Sequence, residues 1–419
     1  MNKPVAIVLA GGVGKRFWPI ETDKSLLPFL GRPLIEHTIQ SLNHEKIERI
    51  LVVANEANKK DIGRIKPRSG RITIVVQEKP MGMADALRTA KKEIGGKAIL
   101  VINGADRVDQ SLYHDVLTKS EMGSERVIIP GREHGQHFQG GYLRVRNERV
   151  LEIVEKPEAG SEPSTLVNLV VHYFRNADDL LTEIEKVKSE TDDVYEHAVS
   201  RLLENGGAGL VRYKGPFGFV KYPWDILEMA RLFLSSLKEK RVSKKAVIHP
   251  KATIEGPVVI GDNVSVLEQA VIKGPAYIGN SSSIGTNCLV LESIIGENTV
   301  VGFSSEITRS YIGDGCWLHQ NYIGDTILEG ENYFGAGAVT ANFRFDAGAI
   351  ASKVASENVN TGRKKLGAIV GRGARVGVNA SLMPGIKIGG KALVGPGVTV
   401  YRDVPREAKL FERQERPQP

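Results

Sequence analysis

Three glycines close behind an apolar run, Gly11, Gly12 and Gly14 in VAIVLAGGVGKR, let backbone N–H groups approach an anion closely, and Arg16 and Lys24 add positive charge a few residues on. That combination suits a triphosphate. A glycine-rich turn after a strand also suits a dinucleotide, but the spacing is not G-x-G-x-x-G and no acidic residue follows at the end of a second strand. The two cysteines, Cys288 and Cys316, are too few for a disulfide framework or a four-ligand zinc site.

The elements that must carry this cradle change character along the chain. Before residue 240, apolar runs (VAIVL, RILVVA, ITIVV, AILVI, RVIIP) alternate with amphipathic stretches such as PLIEHTIQSLNH and MADALRTAKKEI. The alternation predicts strand and crossover-helix units under a mainly parallel sheet. DILEMARLFLSSLKEKR (225–241) predicts a closing helix, and a polar, Lys-rich linker follows it. After residue 246, Ile254, Ile260, Val266, Ile272, Ile278, Ile284 and Val290 fall at six-residue spacing, which returns in Val370, Val376, Leu382, Ile388, Val394 and Val400. Six is not a helical period. It is the repeat of a parallel β-helix, and at ~18 residues per triangular coil the second half supplies about eight coils. The register breaks over 340–366, which predicts a loop or a widened coil. The expected division is therefore 1–237, a linker at 238–246, coils over 247–405 and a tail at 406–419.

The chain has 419 residues, 41% hydrophobic and 25% charged, enough for two or three domains with cores of their own. No apolar run approaches the ~18 residues of a membrane span, and the opening apolar stretch is too short for a signal sequence, so a cytoplasmic protein is expected. The net charge of +7 is modest, and aromatics are not interleaved with Arg and Lys. Phosphate-bearing small molecules are expected as partners, not nucleic acid or a membrane.

The opening segment resembles the sugar-1-phosphate nucleotidylyltransferase signature L-x-G-G-x-G-x-R-L-x-P. QEKPMGMADAL (77–87) is similar to the family's base-contacting segment, GGYLRVRNERVLEIVEKP (140–157) to the strand pair ending in E-K-P, NLVVHYF (168–174) to N-x-G-[IV]-Y-x-[FL], and PWDIL (223–227) to the start of its last helix. The resemblance covers nearly the whole first half. It implies a Rossmann-like α/β nucleotidyltransferase domain in which a sugar-1-phosphate oxygen attacks the α-phosphorus of UTP or dTTP and pyrophosphate leaves. Such chemistry rests on in-line positioning and charge neutralisation. At the matched positions the resemblance implies that Gly11, Gly12, Gly14, Arg16 and Lys24 bind the triphosphate and that Gln77 and the Gly82 backbone read a pyrimidine. Gly141, Glu155 and Asn168 would hold sugar hydroxyls, and Lys156 the sugar phosphate. The plain structural alternative for Glu155 and Lys156 is a strand-end surface pair.

Two positions depart from the family, whose magnesium is held by a Gly-Asp after the fourth strand and a W-x-D-[IV]-G before the last helix. Here Asn103-Gly104-Ala105-Asp106 puts the aspartate one residue late, so Asp106 serves as a ligand only if the strand carries a bulge. At the second place Phe217 falls on the tryptophan and Phe219 on the aspartate, with Asp225 six residues away. Loss of both ligands would cost on the order of 10³-fold in rate.

The coil region resembles the left-handed hexapeptide-repeat domain of acyltransferases, closest to the acetyltransferase half of bifunctional proteins that make UDP-N-acetylglucosamine, through LHQNYIGDTILEGENYFGAGAVTANFRFD (318–346) and TGRKKLGAIVG (361–371). The resemblance implies His319 as the base for acetyl transfer from acetyl-CoA, with Tyr322, Asn332 and Asn342 around the acceptor. The bland alternative packs His319 on a coil edge. The family's lysine falls on Gly348, and its sugar-phosphate Arg and Lys fall on Leu291 and Thr308, beside Arg309. Lys364 and Lys365 would meet the coenzyme's phosphates or form a solvated basic loop. A homotrimer or hexamer through the coils is implied. Two other functional readings stand beside the enzyme: a nucleotide-sugar-binding regulatory subunit that lacks the metal and assembles with an active paralogue, and an acyltransferase active only in its coils.

Overall fold

The computed structural model describes residues 3–42, 46–67, 71–123, 125–135, 137–189, 193–204 and 206–412. The chain forms two compact units: the first comprises the segments up to Val13, Asp23–Leu26 and Pro33–Phe217, the second Gly14–Thr22, Leu27–Arg32 and everything from Gly218 on.

In the first unit, the apolar runs become strands β1 (Val5–Leu9), β2 (Arg49–Ala54), β3 (Ile72–Val76), β4 (Ile99–Asn103) and β5 (Val127–Glu133). They are joined by β6 (Gly141–Arg146), β7 (Arg149–Glu155), β8 (Leu166–Asn168), β9 (Val171–Phe174) and β10 (Ala208–Tyr213) in one sheet of ten, ordered β8-β6-β7-β10-β5-β9-β4-β1-β2-β3. The strands β4, β1, β2 and β3 run parallel, with Leu9 paired to Asn103 on one side and Val53 on the other. A parallel sheet buried on both faces needs apolar side chains in both directions. Val5, Ile7 and Leu9 accordingly join one core with Leu180, Ile184 and Val199 of helices α4 (Ala177–Lys186) and α5 (Val194–Leu203). Ala6 and Val8 join the other, with Ile35 and Ile39 of α1 (Leu34–Ser41) and Leu112 and Val116 of α3 (Gln110–Met122). A further helix, α2 (Gly82–Thr89), follows β3. Caps start two of these helices: Asp109 accepts from the Ser111 N–H and Asn176 from the Asp178 N–H.

The second unit is the parallel β-helix that the hexad spacing predicts, of the left-handed hexapeptide type. Its short strands form three parallel sheets of eight, nine and eight strands. Ile260, Val266, Ile272, Ile278, Ile284 and Val290 point inward and are buried, as are Val370 through Val400 of the second series. Coil corners take positive φ at short polar residues such as Asn263 (57°), Ser281 (58°) and Asn298 (52°). The expected break is a built element: an antiparallel hairpin, Ala351–Val354 with Glu357–Asn360, projects from the coil. Helix α6 (Asp225–Ser235) belongs to this unit, and its Phe233 stacks on Phe29 at 5.0 Å. Among the described residues no helix is long and apolar enough to cross a membrane.

Candidate functional site

The glycine-rich turn opens where β1 ends. A Cβ on Gly11 would lie 2.3 Å from Gln77 Oε1, so any larger residue there would have to displace the Gln77 amide. Gln77 is buried, and its amide nitrogen donates to Asp85 Oδ2 at 2.6 Å and to the Gly82 carbonyl at 3.4 Å. The amide is therefore fixed with NH2 toward α2 and Oε1 toward Gly11. Gly82 has φ +87° and is the first residue of α2, and Gly12 has open space around it. Asp23 is held from the other side by Asn58 at 3.0 Å and Asn55 at 3.4 Å. Lys24 follows in a single 3-10 turn and is half-buried. Gly14, with φ +61°, and Arg16, which is exposed, lie on the segment that belongs to the second unit.

Gly141, Glu155 and Asn168 come together on neighbouring strands. A Cβ on Gly141 would meet Glu155 Oε2 at 3.1 Å and Asn168 Cβ at 3.3 Å. Behind Asn168 lies a network the sequence reading missed: Asn168 Oδ1 bonds His172 Nε2 at 2.8 Å, and His172 Nδ1 bonds the Tyr195 hydroxyl at 2.8 Å. Burial pushes His172 down to about 3, so the ring is neutral. Because Oδ1 only accepts, the ring is the Nε2–H tautomer, and its hydrogen bond fixes which end of the Asn168 amide meets His172. Glu155 and Lys156 form an ion pair at 2.8 Å, with Lys156 at φ +46°.

The metal expectation at Asp106 is corrected. No bulge rescues the strand: β4 ends at Asn103, the chain turns through Gly104 and Ala105, and Asp106 begins a separate short strand, Asp106–Val108. The Asp106 carboxylate accepts from Asn103 Nδ2 at 3.0 Å and lines a small pocket with Ile102, Val108, Tyr113, Val171 and Phe217. Burial in this apolar setting pushes it up to about 7, against the opposing pull of Asn103 and Lys24. In the second unit Phe219 offers no side-chain donor, and Asp225 Oδ2 accepts from the N–H groups of Lys221 and Tyr222 at 2.8 and 2.7 Å, in the turn that leads into α6. Among the described residues no group of three His, Cys, Asp or Glu could hold a metal ion. The donor set does not fit the two-aspartate magnesium site.

The coil residues separate into two kinds. Asn332 is fully buried inside the coil, donating to Gly371 O at 2.8 Å and accepting from Gly330 N at 3.1 Å. It continues an interior column of Ser282, Thr299 and Cys316, in which each side chain ties one coil to the next. This withdraws Asn332 from any acceptor. Cys288 and Cys316 are free and buried, and burial pushes the Cys316 thiol up to about 12. On the outside, the structure brings together Tyr322, Asn342, Asp325 and Arg309: Asn342 Nδ2 bonds the Tyr322 hydroxyl at 3.2 Å and Asp325 Oδ2 at 2.6 Å, and Arg309 grips Asp325 at 2.9 and 2.7 Å. Arg309 also donates to Thr308 Oγ1 at 2.9 Å. His319 is exposed, as are Lys364 and Lys365.

The profile of the family described as "Nucleotidyl transferase" matches residues 5–211, and that of the "GMPPB C-terminal domain" matches 237–328. The chain is 31% identical to a "Bifunctional protein GlmU" of Methanococcus maripaludis, over 98% of each chain. It is 29% identical to a "Bifunctional sugar-1-phosphate nucleotidylyltransferase/acetyltransferase" of Sulfurisphaera tokodaii, over 95% of this chain and 98% of the relative. A solved UDP-glucose pyrophosphorylase from Acinetobacter baumanii aligns at 21% identity with a TM-score of 0.47, covering 56% of this chain and 93% of that one.

Proposed function

The chain belongs to the sugar-1-phosphate nucleotidylyltransferase family, and from that premise we propose that its first half transfers a nucleotidyl group from UTP or dTTP to a hexose-1-phosphate. The observation that carries the reading is the clamped amide of Gln77. With its NH2 taken by Asp85 and Gly82, Gln77 meets a base through Oε1, an acceptor. Uracil and thymine offer N3–H as a donor there, whereas cytosine offers a lone pair. Arg16 and Lys24 then neutralise the triphosphate. Glu155 and Asn168 take sugar hydroxyls beside Gly141, and Lys156 meets the sugar phosphate. The sugar-phosphate oxygen forms a bond to the α-phosphorus as the bond from that phosphorus to the bridging oxygen breaks, and pyrophosphate leaves. The protein's own cations supply the charge neutralisation this step needs.

Pyrophosphate release with four nucleoside triphosphates and a panel of sugar-1-phosphates, with magnesium and with chelator, tests the proposal. Turnover with a uridine or thymidine nucleotide supports it. The near-neutral Asp106 and the phenylalanine at 219 favour one rival, a regulatory subunit that holds the nucleotide without transferring it. That reading wins if no pair turns over while UTP or a UDP-sugar still raises the melting temperature.

For the second half we propose acetyl transfer from acetyl-CoA to an amino-sugar phosphate, with His319 as base and the Tyr322–Asn342 pair beside the acceptor. An acetyl-CoA and glucosamine-1-phosphate assay decides it. Activity lost in His319→Ala supports the coil as an acyltransferase, and its absence in the unaltered protein removes that activity. Assembly as a homotrimer or hexamer through the coils completes the proposal.

A further inference from the structure

We propose that Glu329, on the outside of the coil, is a positioning residue for the loop that carries Arg16. This inference rests on the reading of Arg16 as a triphosphate ligand. The loop segment Gly14–Thr22 is part of the coil unit, as is Glu329. The Glu329 side chain is buried, with the residue only 4% exposed. Its Oε1 accepts from the Glu21 N–H at 2.9 Å, the Thr22 N–H at 2.6 Å and the Thr22 hydroxyl at 2.7 Å. Its Oε2 accepts from the Arg372 N–H at 2.8 Å. One carboxylate thus ties two backbone amides of the loop to the next coil, across more than three hundred residues of sequence.

Three further contacts act in the same direction. The Pro19 carbonyl lies 2.7 Å from where a Cβ on Gly371 would sit, so glycine at 371 admits the loop. The Trp18 ring lies over the Lys387 ammonium at 5.7 Å, and Arg406 pairs with Glu21. The loop backbone between Pro19 and Thr22 is therefore pinned while the Arg16 side chain stays exposed. A pinned backbone with a free guanidinium presents charge at a fixed place, and misplacement by ~1 Å at a reacting site costs up to about a hundredfold. Glu329 does not touch substrate in this account; it acts through the loop.

The test uses the full chain, with UTP and UMP as probes in equilibrium binding by titration calorimetry and with trypsin as a probe of the loop. Glu329→Ala is expected to weaken UTP binding on the order of tenfold while UMP, which lacks the outer phosphates, changes less than about twofold. Cleavage after Lys15 and Arg16 should accelerate, Glu329→Gln should fall between wild type and Glu329→Ala, and Glu331→Ala, which removes a neighbouring carboxylate paired with Arg372, should behave as wild type. If Glu329→Ala does not fold, Thr22→Val removes one of the same donors and should weaken UTP binding with UMP unchanged. Unchanged UTP binding in a folded Glu329→Ala protein, alongside weakened binding in Arg16→Ala, overturns the positioning role and leaves the Arg16 reading intact. Unchanged UTP binding in Arg16→Ala overturns that reading and the inference together. Equal losses for UTP and UMP in Glu329→Ala also overturn it, since a loss indifferent to the outer phosphates is not a loss of triphosphate neutralisation.

Discussion

Asp85 fixes the orientation of the Gln77 amide, because a carboxylate only accepts and so holds the NH2 of its partner; in the proposed base-reading role that leaves Oε1 for the base. Asp85→Ala frees the amide to flip and offer a donor to cytosine. The expected result is a fall in the preference for UTP over CTP, read as a ratio of kcat/KM or of binding constants, on the order of tenfold for one hydrogen bond misassigned. An unchanged ratio would remove Gln77 from base reading. Asp106 is a second residue whose setting dictates an outcome. Its carboxyl is raised from 3.8 to about 7, so the folded state binds the proton more tightly than the unfolded chain. Stability from this group is complete at low pH and is lost as pH rises from about 4 through 7, above which the buried charge is a full penalty. Asp106→Asn abolishes that dependence. Thermal unfolding of both proteins between about pH 4 and 8 should show the variant gaining on wild type as pH rises, and a constant difference would contradict the burial argument. If Asp106 were a metal ligand, the same substitution would instead abolish turnover.

Elements of the coil were largely legible in the sequence, because one inward aliphatic every six residues is dictated by coil geometry alone. The same register carries more than the aliphatics. Asn332 stands two residues before the inward Phe334, as Cys316 stands two before Leu318 and Thr299 two before Val301, so its place in an interior column follows from spacing once the column is recognised. Family resemblance pointed instead to a ligand contact, and the coil's packing wins. Asn332→Ala leaves the Gly371 carbonyl and the Gly330 N–H without their partner and should cost about 1–3 kcal/mol in denaturant unfolding. Acetyl-transfer KM should not move beyond what lost stability explains, whereas a selective rise in the acceptor's KM would return Asn332 to the site. In the sheet unit, the apolar strand runs were readable for similar local reasons. The His172–Tyr195 support behind Asn168 was not, since a histidine within the apolar run LVVHYF gives no sign of its partner on α5. Nor was Glu329: a hexad rule fixes what points into a coil and is silent on what a distant loop adds to its outside.

At the scale of the whole molecule, the exposed face of the nine-stranded coil sheet is where the proposed assembly is expected to form. Val300, Trp317, Tyr333 and Arg375 stand in register on successive strands, with Trp317 48% and Tyr333 45% exposed and the Arg375 guanidinium 5.1 Å from the Tyr333 ring. Phe303 adds a third exposed aromatic on the coil. Large aromatics aligned this way on a flat parallel sheet are an association surface, and copies related by a closed rotation would bury them without leaving an open end. The prediction is that the protein sediments as a trimer or a dimer of trimers at micromolar concentration. The double variant Trp317→Glu, Tyr333→Glu should sediment as a monomer with its far-ultraviolet circular dichroism unchanged, because both side chains point away from the coil interior that Leu318 and Phe334 fill. A wild-type protein that sediments as a monomer, or a double variant that still assembles, would move the interface off this sheet.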